Sequence, residues 1–130
     1  MRRLTEEEAR LFLEPNFGWA ATIRPDGTPQ LSVVWVDYDG KDVLFNTAEG
    51  RAKPRNLRQN PYVVVGVHDR DDGYSWIRVE GTAELSHEGA REHIDALQVK
   101  YRGEGPYPLP EGEQRVIVRV KADRIESRIR

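Results

Sequence analysis

The chain has 130 residues, no cysteine, 32% charged residues and a formal net charge of −2 at pH 7. That length suits one domain with an ordinary core and leaves no room for a second independent one. Without thiols there are no disulfides, thiolate nucleophiles or Cys-ligated zinc or iron–sulfur sites, and the near-balanced charge creates no global field toward nucleic acid or an anionic membrane.

The opening segment MRRLTEEEAR has no apolar stretch behind its arginines, and no apolar run in the chain approaches the ~18 residues of a membrane span, so a cytoplasmic location is expected. Thr5 followed by Glu8 is a capping-box signature, and Ala9, Leu11, Phe12 and Leu13 predict a short amphipathic helix that stops near Pro15. The period then changes to strands. FGWAATIR, TPQLSVVWVDYDG and DVLFNTA are separated by Asp26-Gly27 and Asp39-Gly40 turns and predict an antiparallel meander. A short helix is expected from about Pro54 to Asn60, because proline fits only a first turn. YVVVGVH and SWIRVEGTAEL are the next strands. In the second, Ile77, Val79, Gly81, Ala83 and Leu85 share one face, opposite Trp76, Arg78, Glu80, Thr82 and Glu84. Ser86 is placed to cap a helix whose buried stripe is Ala90, Ile94, Leu97 and Tyr101. After a Gly/Pro-rich loop, Val116, Val118, Val120 and Ala122 alternate in one parity and Ile125 and Ile129 in the other, which predicts a bulge near Asp123. The sum is mainly β: six antiparallel strands with short helices, closing into a small barrel.

The stretch GRAKPRNLRQNP, Gly50 to Pro61, places Arg51, Lys53, Arg55 and Arg58 in twelve residues without an acid. A solvated cationic helix is the plain explanation. Against it, Gly50 permits close backbone approach, and Asn46, Thr47 and Ala48 end a strand at the mouth of a helix N-terminus, where anions are favoured. Cations alternating as Arg51, Lys53, Arg55 suit a phosphate cradle. DNA binding would want cations spread along an exposed face, whereas the flanks carry Asp37, Asp39, Asp42, Asp69, Asp71 and Asp72. His68 beside three aspartates in a turn, and His87 and His93 six apart, match no metal-ligand spacing, so no metal site is assigned. Nothing in the pattern forms a nucleophile–base pair and no catalytic side chain is assigned; an enzyme built this way relies on a cofactor.

The pattern N-T-A-x-x-x-R-x-K-x-x-N-L-x-x-N-P, an apolar strand and then W-I-R-V-E-G-T-A-E-L resembles the pyridoxamine-phosphate-oxidase-like split-barrel superfamily. Within it the likeness is to the flavin/deazaflavin oxidoreductases of the B type, which use coenzyme F420. The resemblance covers about Phe17 to Leu85. It implies a six-stranded split barrel, a homodimer with cofactors in clefts between the subunits, and hydride transfer between F420, or alternatively FMN, and a small conjugated acceptor, with a non-catalytic F420- or flavin-binding protein as the other reading. It also implies that Arg51 and Lys53, flanking Ala52, grip the cofactor phosphate with donors from Asn46, Thr47 and Ala48. Gln30, Leu31, Ser32, Val33, Val34 and Trp35 would run along the cofactor ring, and Ser75, Trp76 and Ile77 would reach it from the neighbouring subunit. Arg55 and Arg58 are left for the carboxylates of an F420 tail. Members that oxidise pyridoxamine phosphate carry a W-x-x-x-R-L-type motif that RIESRIR does not match, so that activity is not expected. The acceptor pocket is expected from loops such as Gly103 to Glu113.

Overall fold

Thr5 caps the first helix, α1 (Glu6–Leu13), as its spacing predicts: the hydroxyl accepts from the Glu8 N–H, and the Glu8 carboxylate accepts from the Thr5 N–H. The structure, a computed structural model, describes residues 2–130. Arg2 and Ser127 also donate to the Glu8 carboxylate, so one buried acid ties the start of the chain and the end of its last strand to this helix. Leu11 and Phe12 on the inner face are fully buried.

β1 (Gly18–Ile23) and β2 (Pro29–Val34) form the expected hairpin, with Trp19 opposite Val33. The long strand expected through Trp35 is instead two strands. β2 ends at Val34, and β3 (Val36–Tyr38) starts at the other end of the sheet. With β4 (Val43–Ala48), β5 (Tyr62–Asp69), β6 (Asp72–Ser86) and β7 (Arg115–Arg128), the order is β2-β1-β5-β6-β7-β4-β3, all antiparallel. Seven strands therefore replace six, and the meander gives way to two hairpins at opposite edges. Trp35 alone carries the chain between them, which is possible because the sheet curls until its edges meet.

The helix α3 (Ala90–Arg102) takes up the backbone groups freed at that step. Tyr101 Oη accepts from the Val36 N–H at 3.0 Å and donates to the Asn16 carbonyl at 2.7 Å. Lys100 Nζ donates to the Val36 carbonyl at 2.5 Å and to the Phe12 carbonyl. Burial pushes the Lys100 ammonium down to about 8, with Asp37 opposing the shift.

The parity change in the last strand is a bulge. Glu80 pairs with Arg124 and Gly81 with Ala122, which leaves Asp123 as the extra residue. A Cβ at Gly81 would stand 1.9 Å from the Lys121 carbonyl oxygen, so the strands meet there only because the residue is glycine. Two helix starts differ from expectation. α2 (Ala52–Gln59) begins two residues before Pro54, which occupies its first turn. α3 is entered through Gly89 at φ 76°, while Ser86 stays at the end of β6 and caps nothing. The stripe Ala90, Ile94 and Leu97 is buried as predicted.

Val63, Val65 and Val67, Ile77 and Val79, and Val118 and Val120 fill the barrel from three adjacent strands, closed at one end by Leu11 and Phe12. On the outer face of β2-β1-β5, Trp19, Leu31, Val33 and Tyr62 are 42–62% exposed. Among the described residues no helix is long and apolar enough to cross a membrane.

Candidate functional site

A cavity of about 410 Å³ opens between the end of β2, the start of α2, α3 and the loop after it. Val33, Val34 and Trp35 form one wall. Arg51 and Lys53 stand at the α2 end, with Asn46 of β4 and Arg115 of β7 beside them. Ile94, Gln98 and Arg102 come from α3, and Tyr107 and Pro108 from the loop. The crossover positions Trp35: its indole stacks on Tyr101 at 5.2 Å and 8°, meets Tyr107 edge-on at 6.5 Å, and carries the Arg102 guanidinium 5.6 Å from its ring centre.

Four cations thus line the cavity, and one carboxylate, Glu113, serves two of them. It lies 3.1 Å from Arg51 and 3.4 Å from Arg115. Lys53 has no ion pair among the described residues; its Nζ donates to Ser32 Oγ at 3.1 Å. Burial, and then the charges of Arg51 and Arg115, push the Lys53 ammonium below its ordinary range. A half-buried cation with cationic neighbours is stabilised by an incoming anion. Arg115 is almost wholly buried, donates from Nε to Asn46 Oδ1 at 2.9 Å and lies over the Tyr107 ring. Asn46 in turn meets His93, and His93 meets Asp37. α2 adds helix N–H groups without a side-chain cap or an acid in its first turn.

Of the residues singled out from sequence, Val33, Val34, Trp35, Asn46, Arg51 and Lys53 come together in this cavity, and Ser32 touches it through Lys53. The expected contribution of the 103–113 loop is also present, in Tyr107 and Pro108. The others sit elsewhere. Gln30 Oε1 accepts from Asn56 Nδ2 at 3.2 Å, and Leu31 points out from the exposed face. Thr47 and Ala48 are buried at the end of β4, and the Thr47 hydroxyl has no hydrogen-bond partner among the described residues. Ala52 lies in the first turn of α2 without lining the cavity. Arg55 is exposed and unpaired among the described residues, whereas Arg58 grips Glu49 through two 2.6 Å contacts and is not free for a tail carboxylate. Ser75 and Ile77 turn into the barrel, because their parity on β6 is the buried one. Ser75 Oγ accepts from the Arg130 N–H, and Ile77 is core. Trp76 has the outward parity, beneath Arg78. Sequence reading missed Arg102, Gln98 and Arg115. Arg115 heads an otherwise valine-rich strand, and a lone arginine there carries no signal of its burial.

The chain matches the pyridoxamine 5'-phosphate oxidase family over residues 4–128. It is 38% identical over 74 residues to a pyridoxine/pyridoxamine 5'-phosphate oxidase of Gloeothece citriformis (strain PCC 7424). That match takes in 56% of this chain and 34% of the relative, so the chain spans about a third of the relative's length. Among solved structures it is similar to an F420 reductase, with TM-score 0.82, 32% identity, and 95% and 98% of the two chains covered. It is also similar to the conserved hypothetical protein Rv2991 of Mycobacterium tuberculosis, with TM-score 0.76, 28% identity, and 95% and 84% covered. HupZ of Group A Streptococcus, 20% identical at TM-score 0.71 over 95% and 93% of the chains, shares the fold.

Proposed function

Because the chain belongs to the pyridoxamine 5'-phosphate oxidase family, we propose that it is an oxidoreductase that holds a flavin-type cofactor by its phosphate in the Arg51–Lys53 cavity. Lys53 carries this reading: its charge is uncompensated and crowded by two further cations, and a bound phosphate supplies what it lacks. The donor set fits the group, since the Lys53 ammonium and the Arg51 and Arg115 guanidinium groups line the cavity with, among the described residues, only the shared Glu113 carboxylate paired to them. Coenzyme F420 is the preferred cofactor, supported by likeness to an F420 reductase over nearly the whole of both chains. FMN is the alternative, and Arg58 being tied to Glu49 narrows the case for a long acidic tail to Arg55 and Arg102.

When bound, a deazaflavin or flavin supplies hydride chemistry from its own ring. The chain's residues then bind, orient and exclude water. Lys53 and Arg51 fix the phosphate, Val33 and Val34 give an apolar wall, and Trp35, braced by Tyr101 and Tyr107, holds the aromatic side rigid. A small conjugated acceptor suits a space of this size. A homodimer is part of the same proposal, supported by Trp19, Leu31, Val33 and Tyr62 standing exposed together beside the cavity wall.

Fluorescence titration with F420 and with FMN at low salt tests the reading. F420 is expected to bind more tightly. Equal or tighter FMN binding moves the assignment to an FMN enzyme, binding of neither overturns it, and binding without turnover of any conjugated acceptor makes the protein a carrier. Sedimentation is expected to give twice 15.0 kDa; a monomer at micromolar concentration removes the dimer.

A further inference from the structure

A hydrogen-bond chain behind the cavity has a polarity that can be fixed from one end. The Arg115 guanidinium only donates, so the oxygen of Asn46, and not its nitrogen, faces Arg115 Nε at 2.9 Å. Asn46 Nδ2 is left to donate to the Ala90 carbonyl at 3.1 Å and toward His93 Nδ1 at 3.0 Å. His93 Nδ1 is then an acceptor, its ring proton sits on Nε2, and that N–H donates to Asp37 Oδ2 at 3.2 Å. The chain is self-consistent at every link, and Arg115 continues through Glu113 to Arg51.

We infer that His93 is a positioning residue for the cavity: as its neutral Nε2–H tautomer it holds Asn46 in the one orientation that anchors Arg115, and its protonation frees Arg115 and weakens anion binding. This rests on the reading of the cavity as a phosphate site. A protonated His93 donates from both nitrogens, and its Nδ1–H meets the Asn46 amide protons. Asn46 must turn over, which sets its nitrogen against Arg115 Nε and its oxygen against the Ala90 carbonyl. Both bonds are lost. The charged groups around His93 are Asp37 from β3, Arg115 from β7 beyond Asn46, and Lys100 of the same helix, which acts on Asp37. Asn46 from β4 is neutral. Burial alone would raise the Asp37 carboxyl, yet the His93 and Tyr38 hydrogen bonds hold it below its ordinary range, so it stays an acceptor.

The test compares wild type, His93→Leu and His93→Gln with coenzyme F420, whose phosphodiester stays ionised across the range, and with FMN if F420 does not bind. Between about pH 8 and pH 5 the wild-type Kd is expected to rise about tenfold, the worth of one charge-assisted hydrogen bond. His93→Leu, lacking the acceptor, binds weakly throughout. In His93→Gln the amide oxygen accepts from Asn46 and the amide nitrogen donates to Asp37, so this variant recovers most of the affinity and loses the pH dependence beyond any titration of the ligand itself. Coinciding wild-type and glutamine profiles overturn the inference. A second readout needs no cofactor: in ¹⁵N NMR of the free protein, His93 Nδ1 is unprotonated at neutral pH, and the Arg115 Nε–H signal moves with the His93 titration in wild type but not in His93→Gln. If neither cofactor binds, the phosphate reading fails, and the NMR arm still decides the coupling. An Nδ1–H tautomer, or an Arg115 signal indifferent to His93, overturns it.

Discussion

Replacing Lys53 by methionine should damage anion binding while leaving the ligand-free fold about as stable as before. The ammonium has one polar partner, Ser32 Oγ at 3.1 Å, and its charge is disfavoured by burial and by Arg51 and Arg115. Methionine keeps the length of the apolar stem. The substitution removes one neutral-acceptor hydrogen bond, about 1 kcal/mol, and also removes a repelled, half-buried charge, which acts in the opposite direction. The net change should lie within about 1 kcal/mol of zero, or roughly 2–5 °C in Tm for a domain of this length. With cofactor present the variant loses a charge-assisted contact of about 1.5–3 kcal/mol, so Kd should rise about 10- to 150-fold. Arg51→Met should lose less, because Arg51 already spends part of its charge on Glu113. Cofactor fluorescence titration and thermal melts of the apo-protein measure both effects. Arg91→Met is the control, since Arg91 is exposed and paired with Asp95 on α3; an equal loss there means a diffuse field and not a built site. Unchanged binding by Lys53→Met, or an apo-protein that no longer folds, refutes the reasoning.

Thr47→Val replaces a fully buried hydroxyl that has no partner by a methyl of similar shape, and should raise stability in urea by about 1 kcal/mol; cofactor affinity should stay put, and a fall would restore Thr47 to the cradle. Glu8 is held at about 2 against 4.5 by its hydrogen bond to Arg2, burial opposing, with Ser127 and the Thr5 N–H adding to the pull. A depressed carboxylate stabilises fully above its unfolded pKa and stops doing so as pH falls through its folded one. Glu8→Gln should therefore lose about 2 kcal/mol at neutral pH, discounted for the exposed Arg2, and its stability should be the flatter of the two between about pH 4.5 and 2 in acid melts. Gly81→Ala forces its methyl to within 1.9 Å of the Lys121 carbonyl oxygen, so the β6–β7 bulge must move; a loss above about 3 kcal/mol is expected in denaturant titration, and a neutral result removes the close approach.

What the sequence made legible was local. Thr5 and Glu8 are three residues apart, so their capping box is written in the spacing, and the parity change between Ala122 and Ile125 pointed to a bulge near Asp123, where the structure has it. The step at Trp35 was invisible because an apolar run looks the same whether it continues in one strand or changes edges, and the groups that satisfy its backbone, Lys100 and Tyr101, lie some 65 positions later. Ser86 drew the α3 cap to itself because serine is a good cap; the chain used the left-handed Gly89, a backbone choice that glycine permits without announcing. In the site, the R-x-K pair and the β2 segment were readable as a contiguous motif, whereas Arg115, Asn46, His93 and Asp37 come from four elements and meet only in three dimensions.

The position of β7 between β6 and β4 has a consequence for how the chain reaches this state. Before residues 115–128 leave the ribosome, the nascent sheet is in two pieces: the four strands β2-β1-β5-β6, and the β4–β3 hairpin. The 15-residue β6 then presents a long open edge, and β4 presents another. β7, synthesised after both of its neighbours, is thus the keystone, and the pairing of residues 43–48 with 115–120 across some 70 intervening positions makes consolidation late and slow. Chains stalled or cleaved within the 103–113 loop hold both edges open, and these are the species that neighbouring chains and chaperones will meet first.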